Sequence, residues 1–298
     1  MEYSYAALRV SKIFVDLVLH FNKKIINFVV EDIFELQIIK DMQKIPVSVV
    51  INTYNAAKQI SETLESAKDF DEIVVCDMES TDNTVDIARK YGCKIVVFPK
   101  GQHNICEPAR DCAIHSARNE WVLVVDADEV IPVELGEFIL QLMKTQMEKN
   151  AYFVPRKNIF LGEFIKSSFP DYQLRFLNQR KCVWPPTIHS LPVVEGKIGY
   201  MPKDTNIALV HNGLTISSEL KKIDVYSAND LVKRNKRKVS LFQLIFSPMW
   251  RFVRYYFLKG ACLQGRRGFI KAMFSSHMKF YYLAKVYERE ISESGSNV

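Results

Sequence analysis

The feature that most narrows the fold of this chain is an alternation. Four short β-branched runs, IPVSVVINTY (45–54), DEIVVCD (71–77), CKIVVFP (93–99) and WVLVVDAD (121–128), are separated by segments with helical spacing of apolar residues. The runs are too short for buried helices and apolar throughout, which is the pattern of strands covered on both faces. The segments between them, KQISETLESAKDF, STDNTVDIARKYG and EPARDCAIHSAR, supply helical crossovers, the second closed by Gly92 as a C-cap. The predicted fold class is therefore α/β, a mainly parallel sheet flanked by helices. Beyond residue 150 the alternation weakens. AYFVPRKNIF, YQLRFL and ALVHNG read as strands among loops, and helices return from Glu219.

Such sheets bind ligands beyond the carboxyl ends of their strands. Polar residues collect at those ends: Asn52-Thr53-Tyr54-Asn55, Cys76-Asp77 and Asp126-Ala127-Asp128. In an extended chain, residues i and i+2 face the same way. Asp126 and Asp128 are thus expected to point together at one cation, which offsets their repulsion. Oxygen ligands suit Mg2+ or Mn2+ rather than zinc. Two local alternatives stay open. Asp-Ala-Asp-Glu before Pro132 fits a helix start, and Ser80 or Thr81 fits a helix N-cap. Neither gives Asp77 a role.

The chain has 298 residues, enough for one large domain or two modest ones. Its six cysteines form no C-x-x-C pair, so they read as reduced and the protein as cytosolic. Residues 1–44 read as an N-terminal helical extension with one apolar stripe, and Met42 is a candidate translation start. A domain over 45–215 follows, its halves 45–132 and 133–215, then a C-terminal helical region over 216–298. No uncharged apolar run approaches the roughly 18 residues needed to span a bilayer. Net charge is uneven. Residues 216–298 carry 16 Lys+Arg and 6 Asp+Glu, or +10; the whole chain is +6, so the first 215 residues carry −4. Basic residues there are interleaved with Trp250, Tyr255, Tyr256, Phe269, Phe274, Phe280 and Tyr281. That mixture suits either an anionic membrane surface or a helical pair packed on the domain. No nucleic-acid-binding motif accompanies the basic run 233–238, so nucleic acid is not expected as a partner.

In order, VVINTYN, CDMESTDNTVDIA, the arginine of EPARDCAIHSA and WVLVVDADE resemble the family 2 glycosyltransferases of the GT-A fold. The resemblance implies a nucleotide-sugar donor. Thr53, Tyr54 and Asn55 would border the base, with Ser80 nearby and Asp77 bonding uracil or ribose. Asp126 and Asp128 would be the family's D-x-D, on ribose and metal. The segments 156–190 and LVHNG are similar to the acceptor half of the lipopolysaccharide-core β-glucosyltransferases: Pro170-Asp171-Tyr172-Gln173-Leu174-Arg175, then His189-Ser190, then His211. Coverage is most of residues 46–290. Departures are Asp111 where the family usually has Asn, Ser190 for Glu, and Met78-Glu79 and Asn83 where smaller residues, often Gly, are frequent.

The mechanism expected from this likeness is inverting displacement from a UDP-sugar onto a saccharide or lipid-linked saccharide, with a divalent cation. Arg110 and Arg175 would assist the leaving diphosphate, with His189 beside the acceptor. Asp171, with Glu163 in reserve, would take the acceptor's proton. His211 would complete the metal's ligands. The enzyme would sit in the cytoplasm, peripheral on the inner face of the cell membrane. Rival readings are a nucleotidyltransferase, disfavoured because N-T-Y-N-A-A-K has no glycine, and an inactive glycan- or membrane-binding homologue.

Overall fold

The computed structural model describes residues 44–101, 107–145, 147–186, 190–223, 227 and 238–295. The expected N-terminal extension, the Met42 start and His189 lie outside the described residues. Strand β1 (Ile45–Thr53) opens the domain and is buried at all but one position. It is followed by α1 (Ile60–Ser66), β2 (Phe70–Asp77), α2 (Thr84–Lys90), β3 (Lys94–Val97), α3 (Glu107–His115) and β4 (Trp121–Asp126). These are the four expected strands with their three helices. β5 (Glu129–Val130), α4 (Val133–Lys144), β6 (Ala151–Val154), β7 (Arg156–Phe160), β8 (Glu163–Phe164), β9 (Gln173–Asn178), β10 (Cys182–Val183), β11 (Val193–Val194), β12 (Ile198–Tyr200) and β13 (Leu209–Leu214) come next. Residues 216–223 form α5. Last come α6 (Leu241–Val253), a π turn (Arg254–Leu258), a 3-10 turn (Ala261–Gln264) and the long α7 (Gly265–Gly295).

The main sheet has seven strands in the order β12-β6-β9-β4-β1-β2-β3. β1 runs parallel to β4, β2 to β3 and β6 to β12. β9 is the exception, antiparallel to both β4 and β6. The β1/β4 register sets Asn52 opposite Asp126. Because β9 runs the other way, it brings its starting residues, Gln173 to Arg175, toward the end at which β4 finishes. A second sheet, β5-β13-β7-β8, stands beside this tip. In it His211 of β13 lies opposite Glu129 of β5 on one side and Asn158 of β7 on the other.

The core follows the sequence pattern. Val50, Val74, Val122, Val124 and Leu177 bury one face of the sheet against Ala109, Ala113 and Ile114 of α3. The C-terminal helices dock on the second sheet, where Phe160, Ile165 and Leu214 pack against Ile270 and Phe274 of α7. The Gln264 side chain ties the same joint, donating to the Phe164 carbonyl (2.9 Å) and accepting from the Ser167 N–H (3.0 Å). Gly268 permits the fit, because a Cβ there would lie 1.9 Å from the Ala261 carbonyl oxygen. Gly268→Ala should therefore cost about 1–3 kcal/mol by overpacking. A melt of the two proteins checks this, and an unchanged midpoint contradicts the close approach.

Candidate active site

The crevice lies where β1, β2 and β4 end. Asn52 and Thr53 are buried there, yet the Asn52 amide and the Thr53 hydroxyl have no hydrogen-bond partner among the described residues. Buried polar groups normally find partners, so two such groups at a strand tip mark a place for a ligand. Asp77 closes the next turn: its Oδ2 accepts from the Ser80 N–H (2.9 Å) and its Oδ1 from the Ser80 hydroxyl (2.5 Å). Ser80 Oγ also accepts from the Asn55 N–H (2.8 Å), and Asn55 Oδ1 accepts from the Thr81 N–H (2.8 Å). Thr53, Asn55, Asp77 and Ser80 thus converge, with Tyr54 exposed beside them and Lys100 Nζ 3.7 Å above its ring. Each oxygen of Asp77 keeps a second lone pair for a ligand. Glu79, one of the departures from the family pattern, has φ +60°, which explains why a glycine suits that position.

Asp126 is held differently from the expectation. Its Oδ1 accepts from Arg110 (2.6 Å) and Arg175 (3.2 Å), and its Oδ2 accepts from Arg175 (2.5 Å). Burial would raise its pKa, but the guanidiniums of Arg110 and then Arg175 outweigh that and hold the carboxyl well below its ordinary range. The Asp126 N–H donates to Glu129 (2.9 Å), whose other oxygen accepts from Arg156 (3.0 Å). Arg156 continues to Asp171 through two contacts, at 2.9 and 2.6 Å. Three acids and three arginines therefore alternate from α3 to β9. Asp111 supports one end: its Oδ1 accepts from the Trp184 N–H (2.7 Å), and the Trp184 ring lies 5.0 Å from the Arg110 guanidinium.

Asp128 stands apart. β4 ends at Asp126, and Ala127 and Asp128 form a turn before β5. Asp128 Oδ2 lies 3.3 Å from His211 Nε2. His211 Nδ1 is 2.9 Å from Asn158 Oδ1, while the Asn158 amide nitrogen donates to Asp171 (2.9 Å). That network assigns the proton of His211 to Nδ1 and aims Nε2 at Asp128. A carboxylate and an imidazole nitrogen, the latter oriented by a second residue, make a fitting pair of ligands for a divalent cation. Among the described residues no group of three His, Cys, Asp or Glu converges as a cage, so a cation held here would take its remaining ligands from elsewhere.

Several expectations need correction. Asp126 and Asp128 do not point together as two neighbours of one strand: β4 ends at Asp126, which Arg110 and Arg175 hold, and Asp128 lies two residues beyond it against His211. Arg175 is spent on Asp126 rather than left free for a diphosphate. Asp171 is engaged by partners: burial would raise its pKa, but Arg156, Asn158 and Gln173 outweigh it and hold the carboxyl below its ordinary value. Glu163, on edge strand β8, pairs with Arg267 (2.7 Å). Sequence reasoning gave no role to Asn52, Glu129, Arg156 or Asn158. Of these Asn52 carried a signal in the polar cluster ending β1, and Glu129 as the third acid of one run.

The model of the family described as "Glycosyl transferase family 2" matches residues 48–190. An uncharacterized glycosyltransferase of Rickettsia typhi is 31% identical over 271 residues, spanning 85% of this chain and 89% of its own. This chain belongs to the family 2 glycosyltransferases. The lipopolysaccharide core biosynthesis glycosyltransferase LpsC of Rhizobium meliloti is 27% identical over 265 residues, 86% of this chain and 97% of that one. Among solved structures, the mannosyltransferase PcManGT of Pyrobaculum calidifontis, in complex with GDP-Man and Mn2+, is 15% identical with a TM-score of 0.49, covering 85% and 89% of the two chains. The sheets described above are the GT-A fold of a glycosyltransferase, and it is a homologue of a lipopolysaccharide core enzyme.

Asp171 sets one pH limit on this transferase. Its folded pKa lies below the ordinary 3.8, so the unfolded chain binds its proton first as pH falls. The stabilisation is complete above 3.8 and disappears as pH drops through the depressed folded value. Asp171→Asn should be less stable at neutral pH, and its denaturation curve should converge on wild type in acid. Parallel curves contradict this.

Proposed function

We propose that this glycosyltransferase moves a sugar, with inversion, from a UDP-sugar to a saccharide or lipid-linked saccharide acceptor of the lipopolysaccharide-core type. The observation that carries the donor half is the pairing of the Asp128 carboxylate with the oriented Nε2 of His211. It stands one turn beyond the tip where Asn52 and Thr53 keep unpartnered polar atoms. The nucleoside fits against Asn52, Thr53, Tyr54 and Asp77, where buried donors and acceptors are waiting for it.

Asp128 and His211 would hold a divalent cation, Mg2+ or Mn2+, which supplies Lewis-acid neutralisation of the departing diphosphate. The chain's own residues do the rest. Arg110 and Arg175 fix Asp126 at the sheet tip, so its carboxylate can meet a ribose hydroxyl only as an acceptor. Arg156, Asn158 and Gln173 keep Asp171 ionised, and through Asn158 that carboxylate fixes the tautomer of His211. Asp171 thus acts as a positioning residue.

For localisation, the support is the outer face of α6. Leu241, Phe242, Ile245, Phe246, Met249 and Trp250 are all exposed on it, and amphipathic helices of this kind lie in the headgroup layer. No helix among the described residues is long and apolar enough to cross a membrane. We place the enzyme on the inner, cytoplasmic face of the cell membrane.

A ligand that binds only the folded state stabilises it, by about 2.7 kcal/mol at a hundredfold excess over Kd. UDP should raise the melting temperature, and Mn2+ should add to that rise. Asp128→Ala should abolish the added rise while keeping the part due to UDP alone. An unchanged metal-dependent rise rejects the role of Asp128, and no UDP effect under any metal rejects the donor class.

A further inference from the structure

From Lys238 to Tyr287 the sequence holds nine Lys+Arg and no Asp or Glu. The structure gathers part of this charge into a cleft of about 420 Å3 between α6, the π turn and α7. Arg251, Arg254, Lys259 and Lys279 line it, with Ser247 and Ser275 as smaller polar groups, and no carboxylate lines it among the described residues. Arg251 and Arg254 are three residues apart and so share one side of the helix. Arg251 Nε donates to the Ser275 hydroxyl (3.0 Å), which fixes its guanidinium across the two helices.

Two further observations say what the cleft faces. Trp250 lines it and also belongs to the exposed apolar stripe of α6, so one mouth opens at that stripe. At the other end, a second cleft of about 390 Å3 shares Arg251, Tyr255, Lys259 and Ser275 with the first and reaches Arg156, Asn158 and Asp171. The two clefts thus run from an apolar surface, past concentrated positive charge, to the Arg156, Asn158 and Asp171 end of the charged network. A ligand matching them has an apolar tail, an anionic group and a sugar, in that order. Charge-assisted bonds from Arg and Lys favour phosphate as the anion. A second copy of this chain does not match. A two-fold contact on the stripe would bring each copy's acid-free segment against its own equivalent.

We propose that the cleft between α6 and α7 binds the phosphate of a membrane-borne acceptor, with its lipid along the α6 stripe and its saccharide directed toward Asp171 and Asn158. The proposal rests on the transferase function for the sugar alone. Phosphate binding is measured without donor or turnover, so the two fail separately: loss of the UDP effect in the melt removes the donor reading and leaves the cleft untouched.

The test is flotation of the full chain with vesicles of phosphatidylcholine, alone or mixed with phosphatidic acid. Wild type should float with the mixed vesicles and not with the pure ones. Arg254→Ala/Lys279→Ala should reduce partitioning roughly tenfold or more, and Arg266→Ala/Lys285→Ala, which removes equal charge outside the cleft, should reduce it several-fold less. Unchanged melting midpoints show that both variants are folded. Equal losses in the two variants mean diffuse charge and overturn the proposal, as does a wild-type chain that does not float. Stabilisation by inorganic phosphate equal to that by mixed vesicles assigns the cleft to a soluble anion and also overturns it.

Discussion

Glu129 is fully buried and carries a charge, and the active-site half of this molecule is arranged around that fact. One oxygen takes Arg156, with Arg175 3.9 Å away, and the other takes the Asp126 N–H. Removing one partner of such a buried pair typically costs about 3–5 kcal/mol, because the other charge is left without compensation. Glu129 therefore needs β7 and β9 in place as well as its own strand. The same contacts tie the end of β4 to the second sheet. Charges alternate outward from it, Arg110 and Arg175 on Asp126, Arg156 on Asp171, so each of three crowded acids faces a guanidinium.

This arrangement separates two carboxylates that the sequence Asp-Ala-Asp sets side by side. Asp126 is the anchor of the arginines. Asp128, carried past the strand end by a two-residue turn, faces His211. The histidine's orientation passes through Asn158 back to Asp171, which Arg156 holds ionised. Through Asn158, a carboxylate held by Arg156 orients a distant imidazole. The C-terminal helices divide in a similar way. Their inner residues, such as Phe274, seal the second sheet, and their outer ones form the apolar face of α6.

Much of the fold was legible because it is local. The β-branched runs became β1 to β4, and the polar clusters at their ends gather at one edge of the sheet, as a parallel arrangement requires. The sequence marks Asp77 and Ser80 each for the donor, and the structure adds that the Ser80 N–H and hydroxyl donate to the Asp77 carboxylate. What escaped depends on distance along the chain. Arg175 reaches Asp126 from 49 residues away, and only the reversed direction of β9 brings it there. No periodicity in QLRFLN distinguishes an antiparallel strand from a parallel one. The i, i+2 rule does not reach Asp128 because it holds only while the strand lasts, and β4 ends two residues before it. Arg156 and Asn158 sat in a segment read merely as a strand among loops, where nothing marked one face as facing a buried acid.

On the proposed reading, Asp128 and His211 would hold the cation while Asp126 stays with its arginines. An anomalous-difference map from crystals holding Mn2+ and UDP tests it most directly. The account predicts one manganese peak bound by Asp128 and His211 Nε2, with Arg110 and Arg175 still on Asp126. A peak coordinated by Asp126, with those guanidiniums turned away, would contradict it.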